Sequence, residues 1–368
     1  EVSAQGGPAL LVSNISEAEL SNPNDPLTLV NMSESFEVDG RTSISSYTAG
    51  NKTLVQTSPE GRTTTMVYDS LGRVISEQFG DLAPMTTSYN ALGQIDGLTI
   101  GSGLDAREYA FTYDADGWRE SVTDALGQTA MFERDNIGRV TRTVLPDTTG
   151  VDYSYNTGGE LAGVTPTGKP EHQFGYTLHG QLSSVTPPTV PNSGITTFTY
   201  DFDRKLTLIS EPGNEEVSLD YDVEGRVSSI ELSRDAATIA TYQYSYVTAE
   251  QLDAITGPGA QTISYGYQGD LVTSETWGGV IVGSISRGYD NAFRQDSFGV
   301  TGGATISYGY DDDDLLTTSG DFAITRDAVN GLHESATIGV VTESWDHNSF
   351  GEMTADTVSA NAADLFQV

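Results

Sequence analysis

Apolar and β-branched residues recur along the chain in short runs, broken by clusters rich in Asp, Asn, Gly and Pro. Thr63-Thr64-Thr65-Met66-Val67 and Ile195-Thr196-Thr197-Phe198-Thr199 alternate or are β-branched, as strands half-buried on one face require. No long stretch keeps the 3.6-residue apolar spacing of an amphipathic helix. The pattern predicts an all-β chain with under ~10% helix, well below the globular base rate.

The turn clusters are not independent of one another. Tyr68-Asp69-Ser70-Leu71-Gly72-Arg73-Val74 recurs as Tyr89-Asn90-Ala91-Leu92-Gly93-Gln94-Ile95, as Tyr113-Asp114-Ala115-Asp116-Gly117, and as Arg134-Asp135-Asn136-Ile137-Gly138-Arg139-Val140. Further copies start at Tyr155, Tyr176, Tyr200, Tyr221, Tyr246, Tyr267, Tyr289 and Tyr310. Successive spacings are 21, 24, 21, 21, 21, 24, 21, 25, 21, 22 and 21 residues.

Each element of the motif has a physical reason. An Asp or Asn after the anchor can bond the backbone two residues on and start a turn. A Gly four residues after the anchor supplies a positive φ without steric cost; Gly72, Gly93, Gly117, Gly138, Gly159, Gly180 and Gly225 fill it, and Arg204 stands there after Tyr200. An apolar residue two further on opens the returning strand. One period is therefore a β-hairpin. A second turn, as in Pro59-Glu60-Gly61-Arg62, Ala125-Leu126-Gly127-Gln128, Pro212-Gly213-Asn214 and Gly257-Pro258-Gly259, leads to the next. More than twenty antiparallel strands follow, and strand twist should coil so large a sheet into a shell or a solenoid-like rod.

The ladder resembles the YD repeats of the RHS family over roughly Phe36 to Asp356. The resemblance implies a wound, hollow β-shell of the kind found in bacterial RHS proteins, toxin-complex shells, wall-associated proteins and teneurins. Such a shell encloses a toxin or presents an adhesion surface and is not itself a catalyst. No copy of the family's terminal plug, with its self-cleaving aspartate pair, is found. The expected organisation is a linker or cap over 1–35 and a repeat array over 36–359, with clean copies in 63–245 and degenerate ones in 246–359. Residues 360–368 are expected to continue into a longer parent chain. Among the degenerate copies Glu250, Leu271, Phe293 and Asp314 replace the Gly, and beyond Tyr310 the anchor is expected to pass to Arg326-Asp327 and Trp345-Asp346.

Charge narrows the partners. The 368 residues carry 17 Lys plus Arg against 52 Asp plus Glu, a formal net charge of −35. Such a surface repels phosphate, which argues against nucleic acid. No apolar run approaches the ~20 residues of a spanning helix, so no membrane span is expected. The 12 Phe, 18 Tyr and 3 Trp are too many for a disordered acidic tail. Absence of Cys excludes disulfide scaffolds and thiolate sites.

Candidate chemistry is sparse. Asp311-Asp312-Asp313-Asp314 is the sharpest acidic run and the place where Ca²⁺ could bind; no other cofactor is expected. Trp118, Trp277 and Trp345 are candidate sugar-stacking surfaces. The arginines that follow Gly (Arg41, Arg62, Arg73, Arg139, Arg226) are expected to pair with carboxylates on a neighbouring coil, one repeat away. His172, His179, His333 and His347 are read as surface residues, and no nucleophile elbow or metal motif occurs. The expectation is a non-catalytic shell or stalk, secreted or at the cell surface. Its partners would be the rest of a longer chain or further copies associating head to tail. The alternatives are an adhesion or carbohydrate-binding module meeting glycans or surface proteins and, less favoured, a polysaccharide-acting enzyme.

Overall fold

The computed structural model describes residues 2–3, 9–10, 12–189, 194–248, 251–361 and 363–367. From Val12 onward they form 33 strands in one antiparallel sheet, most of them pairing with the next in sequence. The first of these strands, Val12–Leu20, and the last, Ala363–Gln367, each pair on one side only among the described residues, so the meander is open. Three 3₁₀ turns of three residues are the only helical segments among the described residues. The expected all-β array of hairpins is what the chain forms.

The chain divides into two compact units. Unit 1 comprises Glu1–Ala110, Tyr267–Thr273 and Ile285–Val368, and unit 2 comprises Phe111–Gly266 and Ser274–Ser284. In unit 1 the strand Val12–Leu20 pairs with Leu29–Val38 across a turn capped by Asp25, whose carboxylate accepts from Leu27 N. Residues 12–35, expected as a linker or cap, thus lie in a hairpin joined to the sheet. Unit 2 includes successive hairpins from Arg119–Thr123 through Leu252–Gly257.

No hydrophobic residue among those described is fully buried, and the accessible surface is 22433 Å². A compact globule of 39.2 kDa would expose about 14,000 Å². Cohesion must therefore come from strand ladders and from side chains linking one hairpin to the next, not from a core.

The anchor sits at a fixed place in each hairpin. Tyr68 opposes Val74, Tyr155 opposes Leu161, Tyr221 opposes Val227 and Tyr310 opposes Leu316, each just after a one-residue register shift. The extra residue is a β-bulge, which sharpens the local twist where the turn begins.

Candidate functional site

The repeated turn is the most elaborate chemical feature of the chain. In the turn after Tyr68, Asp69 N donates to Arg73 O at 2.9 Å and Gly72 N to Asp69 O at 3.3 Å. The Asp69 carboxylate accepts from Leu71 N at 2.8 Å and from Arg73 N at 3.0 Å, and its second oxygen accepts from Arg73 Nε at 2.7 Å. Gly72 holds φ at +79°, where a side chain is strained. Asp135, Asp222 and Asp290 repeat the arrangement with Arg139, Arg226 and Arg294. The backbone donation from Arg73 leads in holding the Asp69 carboxyl below its usual range. At Asp135 and Asp222 burial works against ionisation and the bonds from Arg139 and Arg226 overcome it, so these carboxyls are lowered too.

These pairings correct the sequence reading of the arginines. Arg73, Arg139 and Arg226 pair with the Asp four residues earlier in their own turn, not with a coil one repeat away. The physical reason is that the bulge and the positive-φ Gly fold the turn back until the side chains at its two ends meet.

The anchors lock each hairpin to the one before it. The hydroxyl of Tyr89 donates to Val74 O, that of Tyr155 to Val140 O, that of Tyr176 to Leu161 O and that of Tyr200 to Leu182 O, at 2.8 to 2.9 Å. Tyr221, Tyr246, Tyr289 and Tyr310 do the same with Leu206 O, Val227 O, Val272 O and Gln295 O, at 2.7 to 2.8 Å. Over the Tyr ring lies the cation of the preceding turn: Arg73 is 4.3 Å from the Tyr89 centroid, Arg139 4.4 Å from Tyr155, Arg226 4.3 Å from Tyr246 and Arg294 4.8 Å from Tyr310. Lys205 takes the place over Tyr221 at 5.2 Å.

One copy inverts the pair. Trp118 stands where the cation should be, and Arg134 stands at the next anchor, 5.9 Å from the Trp118 ring. Arg134 also donates to Arg119 O at 3.4 Å, the carbonyl a Tyr hydroxyl would reach. Trp118 therefore lies between hairpins, against Arg134 and Gly138. The swap was visible in the sequence as an aromatic and an Arg exchanging places one repeat apart.

Degenerate copies keep the geometry. Phe293 and Asp314, in place of Gly, adopt φ of +63° and +66°. Leu271 instead opens a strand after a tighter turn through Gly269, at φ +59°. Glu250 lies outside the described residues. Arg326 acts as an anchor, donating to Leu316 O at 3.2 Å. The expected anchor Trp345-Asp346 is corrected to His347-Asn348, because Asn348 caps the turn through Phe350 N and Glu352 N and Gly351 supplies the positive φ of +76°. Trp345 sits within the strand, opposite Asp356.

Within unit 1 the early second turns meet late YD turns. Arg62, only 6% exposed, reaches Asp313 at 2.6 Å and Asp311 at 2.9 Å, carboxylates some 250 residues away. Burial alone would lower its pKa, but the Asp311 and Asp313 bonds outweigh this and raise it. Ser58 Oγ donates to Asp313 at 2.6 Å, Asp312 N donates to Glu60 at 3.0 Å, and Arg41 and Arg294 both pair with Asp314. The run proposed for Ca²⁺ therefore meets three guanidinium groups, which a cation there would have to displace. Farther along the seam Asn330 bonds Asp81 at 2.9 Å, Ala83 N donates to Ser349 O at 2.6 Å, and Arg107 grips Glu352 bidentately at 2.7 and 2.8 Å. The Arg107 and Asn348 bonds hold the Glu352 carboxyl down at about 2. A Cβ on Gly80 would lie 2.5 Å from Val329 O, so Gly there permits the approach.

The other two tryptophans line cavities. Trp277, with Tyr242, Ile255, Ile263 and Ile281, borders an apolar recess of about 510 Å³ in unit 2. Trp345, with His333 and His347, borders a polar one of about 400 Å³ in unit 1. Among the described residues no group of three or more His, Asp or Glu is placed to hold a metal ion, and no helix is long and apolar enough to cross a membrane.

A family profile described as Teneurin YD-shell matches residues 21–368. Among solved structures the chain is similar to the TcdB2-TccC3 crystal structure, at 13% identity and a TM-score of 0.42 over 97% of this chain and 27% of that one. It is similar to the Photorhabdus luminescens Tc holotoxin pore at 14% identity and a TM-score of 0.41, over 97% and 26%. A porin-like protein from Bacteroides uniformis matches at 12% identity and a TM-score of 0.11, over 74% and 91%. The chain thus spans about a quarter of the length of the toxin-complex chains. No curated protein matches.

Proposed function

Because the chain belongs to the teneurin YD-shell family, we propose that it serves as a non-catalytic scaffold, a length of shell wall or stalk within a longer exported or cell-surface protein. The observation that supports this reading is the ladder of Tyr hydroxyls and stacked cations running from hairpin to hairpin. Tyr, Arg and Asp, the residues that in an enzyme would face a substrate, here hold strands to one another. Continuation in a longer chain accords with the share of the toxin-complex chains it spans. Among the described residues Val12–Leu20 pairs on one side only, which leaves a strand edge that a further copy could extend head to tail.

Electron microscopy of the parent protein, together with turnover assays on a polysaccharide panel, tests the reading. A β-walled particle without turnover is expected. Product formation that disappears when a carboxylate pair is removed would replace the scaffold with an enzyme.

A further inference from the structure

The seam of unit 1 shows what a YD turn of this chain fits against. The third residue after the anchor forms the tip of each turn. After Arg326 that residue is Val329, whose carbonyl oxygen closes on Gly80. After His347 it is Phe350, and a Cβ on Gly101 would stand 3.0 Å from its ring and 3.8 Å from Ala83 Cβ. Ala83 N donates to Ser349 O, and the Arg107 guanidinium lies 4.1 Å from the Phe350 centroid. An apolar tip thus fills the gap between two neighbouring second turns, at 80–84 and 101–106.

Unit 2 has a gap of the same kind between its second turns at 258–260 and 279–282, and among the described residues no turn tip fills it. This gap is the apolar recess of about 510 Å³. Ile255 and Ile263 pair directly across neighbouring strands and so share one of its faces. Trp277 and Tyr242 line it with them, and Ile281, 73% exposed, stands at its rim. We propose that this recess receives Leu92, the tip of a YD turn, from a second copy of the chain. Leu92 holds the position after Tyr89 that Phe350 holds after His347, yet it is 81% exposed. Charge favours this tip and this recess. No charged side chain lines the recess, and the turn Asn90-Ala91-Leu92-Gly93-Gln94 carries none, so the contact itself escapes the repulsion between two chains at −35. YD turns and second turns cap opposite ends of the hairpins, so tip and recess are different patches of one chain. Their contact is heterologous, and each added copy leaves a tip and a recess for the next.

This contact rests on the scaffold reading, whose turnover and particle tests are unaffected if copies do not associate. One turn in one recess buries less than the roughly 1,200 Å² of a stable complex, so association is weak and strengthens as salt screens the remaining charge. Sedimentation of the whole chain at up to about 1 mM, the weak end of the affinity scale, in low and high NaCl provides the test. The average mass should rise with concentration without levelling at a dimer, and more steeply in high salt. Leu92→Asp and Ile281→Asp each set a charge at the contact and should weaken association by about tenfold or more, with an unchanged circular dichroism spectrum. Leu92→Ser and Ile281→Ser keep the test valid if a charge disturbs either turn. An equimolar mixture of the Leu92 and Ile281 variants should pair and stop at a 1:1 complex, because one keeps its recess and the other its tip. The proposal is overturned if the chain stays monomeric throughout, even where an apolar dye occupies the recess. It is also overturned if the mixture does not pair, or if both variants associate as the parent does, which would move the contact to a strand edge.

Discussion

Replacing Arg62 by Ala tests whether the seam of unit 1 is held by charge. The Arg62 side chain is 6% exposed, and its partners Asp311 and Asp313 are 9% and 10% exposed. The substitution strands two shielded carboxylates without their cation, while Ser58 and the Glu60 amide still donate to Asp313. Breaking a buried pair by removing one partner costs roughly 3–5 kcal/mol. The low end, about 3 kcal/mol, is expected here, because no apolar core seals the site and water can reach the carboxylates once Arg62 is removed. The neighbouring Arg41–Asp314 pair serves as the internal control: Asp314 is 56% exposed. Arg41→Ala should then cost at most about 1 kcal/mol. Urea unfolding gives the total, and hydrogen exchange at 58–62 and 311–315 locates the loss. Repeat arrays need not unfold in one step, so the exchange data decide. If Arg62→Ala costs no more than Arg41→Ala, or if exchange rises evenly along the chain, the seam is not held by this clasp.

Four further outcomes are expected. Tyr155→Phe removes the hydroxyl from Val140 O and should cost about 1 kcal/mol, read as faster exchange around 140–155. Trp118→Arg and Arg134→Tyr should each destabilise, while the double variant restores the ordinary order and recovers most of the loss, a positive coupling in a double-mutant cycle. Acid should weaken the seam: Glu352 is held at about 2 against an ordinary 4.5, so the unfolded chain takes up its proton first. Its stabilising share is complete above about 4.5 and is lost as pH falls toward 2, and exchange at 101–107 and 348–352 measured across that window checks it. A chain at −35 repels itself, and salt screens exposed charges beyond about 10 Å at 0.1 M. Melting temperature should therefore rise with NaCl, and a flat response would show the carboxylates already compensated.

The hairpin array was legible because both of its signals are local. A strand shows its period within a few residues, and Asp69 and Gly72 specify their turn from within it. The same locality explains the misplaced final anchor. Trp345-Asp346 looks like an aromatic-acid pair, but the residues that make the turn are the capping Asn348 and the positive-φ Gly351. The arginine pairings were misread for a related reason. Spacing alone does not say that a bulge brings Arg73 back onto Asp69, and only the folded turn does.

The seam lay beyond sequence reading because no local pattern encodes it. Arg62 meets Asp311 and Asp313 only after each intervening hairpin has added its increment of twist, and that sum depends on bulges, turn lengths and side-chain pairs along the way. The inverted pair at Trp118 and Arg134 shows which of these the fold holds constant. An aromatic and a cation must meet between successive hairpins, but either hairpin can supply either one. Anchor identity is thus free to drift, as at Arg326, provided the bond to the preceding hairpin's carbonyl is kept. Contact between hairpins, more than the Tyr-Asp signature itself, is what brings distant turns into register.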